Sequence, residues 1–233
     1  DFETPEINLV GDAFWTTDND ALFIPTPQRL RLTYNAGGLV GSAWSDQPFD
    51  ASRSWSTTFW FQLSYPAAGG ADGLGFHIHG DGVGANPGHE GGNLSNPRFS
   101  VVVDTWNNGP EGTDESLRLI LDGNPIYLND LLDSAEDPNP GSFPAVFRME
   151  LNYVAASQEL GIRLVDEGSS DALYDTATGV DLSGFGSSWA GFSAVTGAST
   201  QNHDIRRWMF NAAHPHADRV AQIPNGAVRR CAT

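Results

Sequence analysis

The sequence predicts an all-β protein built as an antiparallel β-sandwich, and three observations predict it. The dominant hydropathy period is two, the signature of half-buried strands. The chain is rich in turn formers, with 26 Gly and 14 Pro in 233 residues. Its apolar runs are short, and no helix-length crossover separates one from the next. Such strands pair antiparallel and bury themselves by stacking sheet on sheet. A hydrophobic share of 39%, with 7 Trp and 13 Phe, is enough to fill the space between two sheets. Sandwiches of this length form one domain. Residues 1–211 read as that domain, and 212–233, where the alternation fades, as a C-terminal surface tail.

The elements follow in order. Arg29-Leu-Arg-Leu-Thr-Tyr34 alternates, placing Leu30, Leu32 and Tyr34 on one face. Between Ser54 and Leu63, the residues Trp55, Thr57, Phe59, Phe61 and Leu63 share a face, opposite Ser56, Thr58, Trp60 and Gln62. Leu74–Ile78, Phe99–Val103, Leu117–Leu121, Val146–Tyr153, Leu160–Val165, Trp189–Val195 and Asp204–Phe210 are further strands, bounded by Gly, Pro, Asn and Asp clusters. One helical turn is predicted, Asn129–Glu136, ahead of Asp137-Pro-Asn-Pro-Gly141. No internal repeat stands out.

Charge narrows the partners. With 29 acidic and 12 basic residues the net charge is −17. A nucleic-acid binder needs cations to displace counterions from phosphate, so nucleic acid is excluded as a partner. An anionic membrane surface is disfavoured for the same reason. No apolar run of about eighteen residues occurs, so membrane insertion is not expected. The only cysteine is Cys231, which rules out an intrachain disulfide. The opening Asp-Phe-Glu-Thr-Pro has neither a basic nor an apolar leader region. The expectation is a secreted or cell-surface protein whose signal peptide has been removed.

Three segments concentrate chemistry. In Val101-Val-Val-Asp-Thr-Trp-Asn-Asn108 an apolar strand ends in a carboxylate, an aromatic and an amide, then enters an acidic loop. Asp104, Asn108, Asp114 and the Trp106 carbonyl offer oxygens of the kind calcium requires. Asp104 and Asn108 are equally able to cap a turn through their own backbone. Ala71-Asp-Gly-Leu-Gly-Phe76, followed by Gly91-Gly-Asn-Leu94, sets an Asp between small residues at the start of a strand. Trp189–Phe210 reads as two strands flanking a loop of small, hydroxylated side chains, Gly197–Asn202.

Taken in this order, the three segments resemble the legume-type (L-type) lectin family. Asn8-Leu-Val-Gly-Asp-Ala13, Leu30–Thr33 with Gly41-Ser-Ala43, Phe59-Trp-Phe61 and Val180-Asp-Leu182 extend the likeness over residues 7 to 210. The resemblance implies a concanavalin-like jelly roll, with a flat back sheet, a curved front sheet, and loops holding calcium and sugar. It implies calcium-dependent glycan binding without catalysis. Asp72 matches the carboxylate that accepts sugar hydroxyls, preceded by a cis peptide bond. Gly92 matches the glycine whose N–H donates to the sugar. Trp106 matches an aromatic that gives its carbonyl to calcium and its ring to the sugar face, and Asn108 an amide shared by both. Asp104 and Asp114 match calcium carboxylates, and Ala198 and Ser199 fall in the loop that selects the monosaccharide. A carboxylate, an amide and a backbone N–H complement hydroxyls that both donate and accept.

The departures carry information. Plant members hold a transition metal through a Glu two residues before the calcium Asp and a His downstream. Here that position is Val102, and no His lies between His89 and His203. One calcium and no transition metal is expected, nearer to the bacterial and animal cargo-receptor members. The Asn108–Asp114 spacing is long, which leaves Glu111 and Glu115 as rival ligands. Ser193–Asp204 aligns without a gap to the short loop of mannose- and glucose-binding relatives, which points to those sugars. Ser199 stands where such relatives carry an acid, so single-sugar affinity should be weak. Clustering of sites in an oligomer is one way to raise it.

Two other functions compete. A glycoside hydrolase on a related sandwich needs paired carboxyls about 5–5.5 Å apart in a retaining mechanism, and no strand here carries two such acids on one face. An adhesive or structural domain with a decayed sugar site is the other. His77-Ile-His79 puts two imidazoles on one face of a strand, a zinc pair only if a further ligand is near, and otherwise a packed or solvent-facing pair.

Overall fold

A computed structural model describes residues 7–17, 28–67, 70–106, 116–130, 145–168 and 172–212. Its strands, in chain order, are β1 (Ile7–Gly11), β2 (Phe14–Thr16), β3 (Arg29–Thr33), β4 (Val40–Ser45), β5 (Phe49–Asp50), β6 (Trp55–Ala67), β7 (Gly73–His79), β8 (Arg98–Asp104), β9 (Ser116–Leu121), β10 (Asn124–Asp130), β11 (Ala145–Val154), β12 (Glu159–Asp166), β13 (Ala172–Thr178), β14 (Ser187–Val195) and β15 (Thr200–Ala212). No helix occurs among the described residues, and none there is long and apolar enough to cross a membrane.

Two antiparallel sheets form the predicted sandwich. One runs β1-β4-β14-β7-β8-β9-β10, with β5 also pairing β14; the other runs β13-β12-β11-β6-β15-β3-β2. The period-two runs supply the core between them. Trp55, Phe59, Phe61 and Leu63 of β6 are at most 1% exposed and meet Phe76, Phe99, Phe147 and Phe192. Aromatic rings dominate the contact, as with Phe59 against Phe192 at 5.0 Å between centroids. Edge-to-face pairs of this kind add to what burial alone contributes.

Each predicted strand is present, usually longer by a residue or more at its ends. Six strands were not foreseen: β1, β2, β4, β5, β10 and β13. β4 lacks the bulky alternation because it cannot carry it. A Cβ at Gly41 would lie 1.9 Å from the Leu32 carbonyl oxygen. Two expectations are corrected. Tyr34 does not share the core face of Leu30 and Leu32, because β3 ends at Thr33 and the chain turns away, leaving Tyr34 43% exposed. Asn129 and Asp130 are not helical. They extend β10, paired with Leu117 and Ser116, and the remaining residues of that expected turn, 131–136, lie outside the described set. β15 ends at Ala212, and the rest of the expected tail also lies outside it.

One sheet is covered twice. The segment 80–97 lies over the outer face of β7 and β8, so all seven residues of β7 are buried. Ser42 Oγ donates to Asn86 Oδ1 at 2.7 Å, Trp44 Nε1 to the Ala85 carbonyl at 2.7 Å, and Ser193 Oγ to the Gly88 carbonyl at 3.0 Å. Beneath this layer His77 bridges Ser100 Oγ at 2.8 Å through Nδ1 and Ser193 Oγ at 2.7 Å through Nε2. Ser193 spends its proton on Gly88, so the network assigns the imidazole hydrogen to Nε2 and makes Nδ1 the acceptor. His77 and His79 are therefore a packed pair.

Candidate functional site

The site forms where β7 begins and β8 ends. Gly73 and Asp104 are register partners, so Asp72 and Thr105 leave the sheet side by side. Gly73 has φ +136°, and a Cβ there would sit 2.2 Å from the Val103 carbonyl oxygen; only glycine allows strands this close. The Ala71–Asp72 peptide is cis, as the resemblance implies. The Asp72 N–H donates to the Val195 carbonyl at 2.9 Å, and its carbonyl accepts from Thr105 N–H at 3.0 Å. The backbone of Asp72 is thereby fixed to both neighbouring strands.

Its carboxylate makes no hydrogen bond to the described residues. Partial burial holds the Asp72 pKa above the ordinary carboxylate value, and the Asp104 charge adds to this while His89 opposes it. Two carboxylates share this end of the sheet, and their repulsion favours a cation or hydroxyl donors there.

Asp104 is 1% exposed. Its Oδ1 accepts the Trp106 N–H at 2.9 Å, and its Oδ2 lies 2.6 Å from Arg118 Nη2. Arg118 is itself buried, with Nη1 on Glu90 Oε1 at 2.7 Å and Nε on Ser116 Oγ at 2.8 Å. His89 Nε2 is buried with no hydrogen-bond partner among the described residues, 3.9 Å from Asp104 Oδ2. His89, Glu90 and Asp104 can bring three ligand atoms within 4.8 Å of one another, and the single Arg118 guanidinium lies against both acids, offsetting one of their two charges.

The 89–94 segment carries Gly92, exposed, with nothing within 4 Å of a would-be Cβ. Its N–H bonds to none of the described residues, while its carbonyl accepts from Arg98 Nη1 at 3.3 Å and the Leu94 carbonyl accepts from the same nitrogen. The Trp106 ring is 36% exposed. From the β14–β15 turn it is Gly197 that reaches Asp72, where a Cβ would be 3.3 Å from Oδ2. Ala198 is exposed, and Ser199 is 7% exposed, turned inward. That turn is clamped to the β3–β4 turn. Thr196 Oγ1 donates to the Ala36 carbonyl at 2.7 Å and accepts from Leu39 N–H at 3.1 Å.

The structure thus brings Asp72, Asp104, Trp106 and the Gly197–Ala198 turn to one end of the sandwich. Asn108, Asp114, Glu111 and Glu115 lie outside the described residues. Sequence reasoning missed Arg118, Glu90, His89 and Gly197. For Arg118 a signal existed: an arginine inside the apolar run Leu117–Leu121 requires a buried carboxylate.

A family profile described as legume lectin domain matches residues 1–224. No curated protein matches the chain in sequence. Among solved structures, a lectin from Bauhinia forficata in complex with GalNAc is similar at TM-score 0.72 and 20% identity, over 90% of this chain and 94% of that one. Basic winged bean lectin with Tn-antigen is similar at 0.72 and 21%, over 92% and 95%. The metal-free form of lectin I-B4 from Griffonia simplicifolia is similar at 0.70 and 21%, over 88% and 92%.

Proposed function

Because the chain belongs to the legume lectin domain family, whose members bind carbohydrate, we propose that it is a calcium-dependent, non-catalytic glycan-binding protein of mannose/glucose type. The observation that supports this most is the partly desolvated Asp72 carboxylate, which makes no hydrogen bond to the described residues and lies at the same end of the sandwich as Asp104 and the exposed Trp106. An anionic acceptor, a fixed N–H and an aromatic face are the complement of a pyranose with hydroxyls on its rim and C–H groups on its faces.

The residues described fit a calcium ion. Asp104 supplies a hard oxygen at a strand end, and burial together with the Asp104 charge raises Asp72, a cost to the charged form that a divalent cation would relieve. Asp104 and the Trp106 carbonyl would hold it, with Asn108 and Asp114 completing the protein ligands. The ion's part is to neutralise charge and order the loop. Asp72 accepts hydroxyl protons, Gly92 donates its N–H, and Trp106 excludes water from one sugar face. A transition-metal site is not part of the reading. Val102 is fully buried and faces Arg118 across the β8–β9 pair, so an apolar side chain and a cation stand there. This favours kinship with one-metal bacterial and animal members.

Hydrolysis is disfavoured by the same contacts. Asp104 is already engaged by Arg118 and the Trp106 N–H, which leaves Asp72 without a free partner carboxylate among the described residues. The preference for mannose or glucose rests on the short 196–200 turn, with Gly197 and Ala198 leaving the rim of Asp72 open. The relatives named with GalNAc and Tn-antigen share the fold, and in this reading the turn is what sets the sugar. Secretion and clustering into multivalent arrays accord with weak single sites. The test is binding to a glycan surface with and without EDTA, then competition. α-Mannosides should displace the protein and galactosides should not; displacement by galactose alone would overturn the specificity, and EDTA-insensitive binding the calcium dependence.

A further inference from the structure

The Arg118 network spans two segments that the binding reading uses separately. Its guanidinium holds Asp104, at the end of β8, through Nη2, and Glu90, on the 89–92 segment, through Nη1. The third nitrogen, Nε, is fixed by Ser116 Oγ on its own strand. A planar fork with three partners has one orientation. Glu90 is two residues from Gly92, and Gly91 closes the turn by donating to the Gly88 carbonyl at 2.8 Å. Gly91 also has no room to shift toward the sheet, since a Cβ there would lie 2.8 Å from Ser100 Oγ and 3.1 Å from His77 Nδ1.

We propose that Arg118 is a positioning residue: a resident cation that ties Asp104 to the Gly91–Gly92 turn through Glu90, so that the sugar-facing arrangement stands before a divalent ion arrives. This rests on the binding function proposed above. Preorganisation lowers the ordering entropy lost on ligand binding. It has an electrostatic consequence of opposite sign, because a fixed positive charge against Asp104 weakens that carboxylate's hold on any second cation. The two effects separate Arg118 from a residue that merely stabilises the fold.

The experiment uses Arg118→Met, which keeps the length and loses the charge, and Glu90→Gln, which cuts only the arm to the turn. Calcium affinity is read by calorimetry on metal-depleted protein, and glycan-surface binding at saturating calcium. Backbone amide exchange at Gly91 is read without metal or sugar. For Arg118→Met we expect calcium to bind several-fold tighter while glycan binding weakens about tenfold, the scale of one charge-assisted hydrogen bond. Both variants should speed Gly91 exchange about tenfold, as loss of one such bond would. Should Arg118→Met not fold, Glu90→Gln still tests the tie to the turn through Gly91 exchange and glycan binding, with calcium affinity expected to change little. Parallel weakening of calcium and glycan, or unchanged Gly91 exchange, would overturn the proposal. A parent protein that binds neither calcium nor glycan would defeat the binding reading, and the exchange measurement would still decide whether Arg118 orders the turn.

Discussion

At Asp72 function and stability pull apart. A carboxylate lifted by burial and by Asp104 costs the fold something in its charged form. Asp72→Asn should therefore leave the melting temperature unchanged or higher, while glycan binding falls roughly ten- to hundredfold, as expected for loss of charged hydrogen bonds. Thermal unfolding and surface binding on one preparation check both halves; a fall in stability would show that the carboxylate has a structural partner instead. Gly73 is the opposite case. Gly73→Ala drives a Cβ into the Val103 carbonyl at 2.2 Å, and denaturant titration should show a loss of about 2–4 kcal/mol, in the class of strained backbone positions. Asp72, with Gly73 beside it, stood out in the sequence as an acid between small residues at the start of an apolar strand. Gly197 did not, since nothing local marks which residue of a flexible-looking turn meets a carboxylate more than a hundred positions away.

Among the elements, β3 and β15 are joined by a buried ion cluster on the outer face of their sheet. Arg29 Nε and Arg31 Nε each lie 2.7 Å from the Asp204 carboxylate, and the three side chains are 4% exposed or less. Removing the acid leaves buried guanidinium charge short of a partner, which costs about 3–5 kcal/mol in comparable pairs. Asp204→Asn should lower the unfolding midpoint accordingly, and a loss below about 1 kcal/mol would show the cluster to be weakly coupled to the fold. The sequence displayed Leu30 and Leu32 but hid this pairing. Alternation identifies the inward face of a strand, and it treats the other as solvent. Here the other face is buried as well, under β7 and β8 by segment 80–97 and on β3 by this cluster. Strands such as β4 and β10 were illegible for a related reason: small residues and a proline replace the bulky pattern where strands cross closely or a bulge falls at Pro125.

For the molecule as a whole, the buried histidines set its response to acid. Desolvation lowers His79 from 6.5 to about 4 and His203 to about 3, and pushes His77 well below its usual value. All three stay neutral in the fold while the unfolded chain takes up protons below pH 6.5, so the unfolded state binds more protons and stability rises with pH across that range. Stability should fall as pH drops from about 6.5 and level off only near the folded values, a loss on the order of several kcal/mol at about 1.4 kcal/mol per unit. Asp72, raised rather than lowered, offsets a little of this. Denaturant midpoints between pH 7 and 4 test the slope, and a flat profile would mean that these imidazoles reach solvent.

The position of the last two strands has a consequence for how the chain is made. β14 lies between β4 and β7 in one sheet, and β15 between β6 and β3 in the other. A ribosome emits the N-terminal strands first, so each sheet waits, split along its middle, until residues 187–212 emerge. Until then four long strand edges stand unpaired, the state most open to joining another chain. Closure of both sheets must then come late and slowly, since its decisive pairings are among the most distant in sequence. A nascent chain stalled before Ser187 should aggregate or remain bound to chaperones, whereas one released after Ala212 should become protease-resistant.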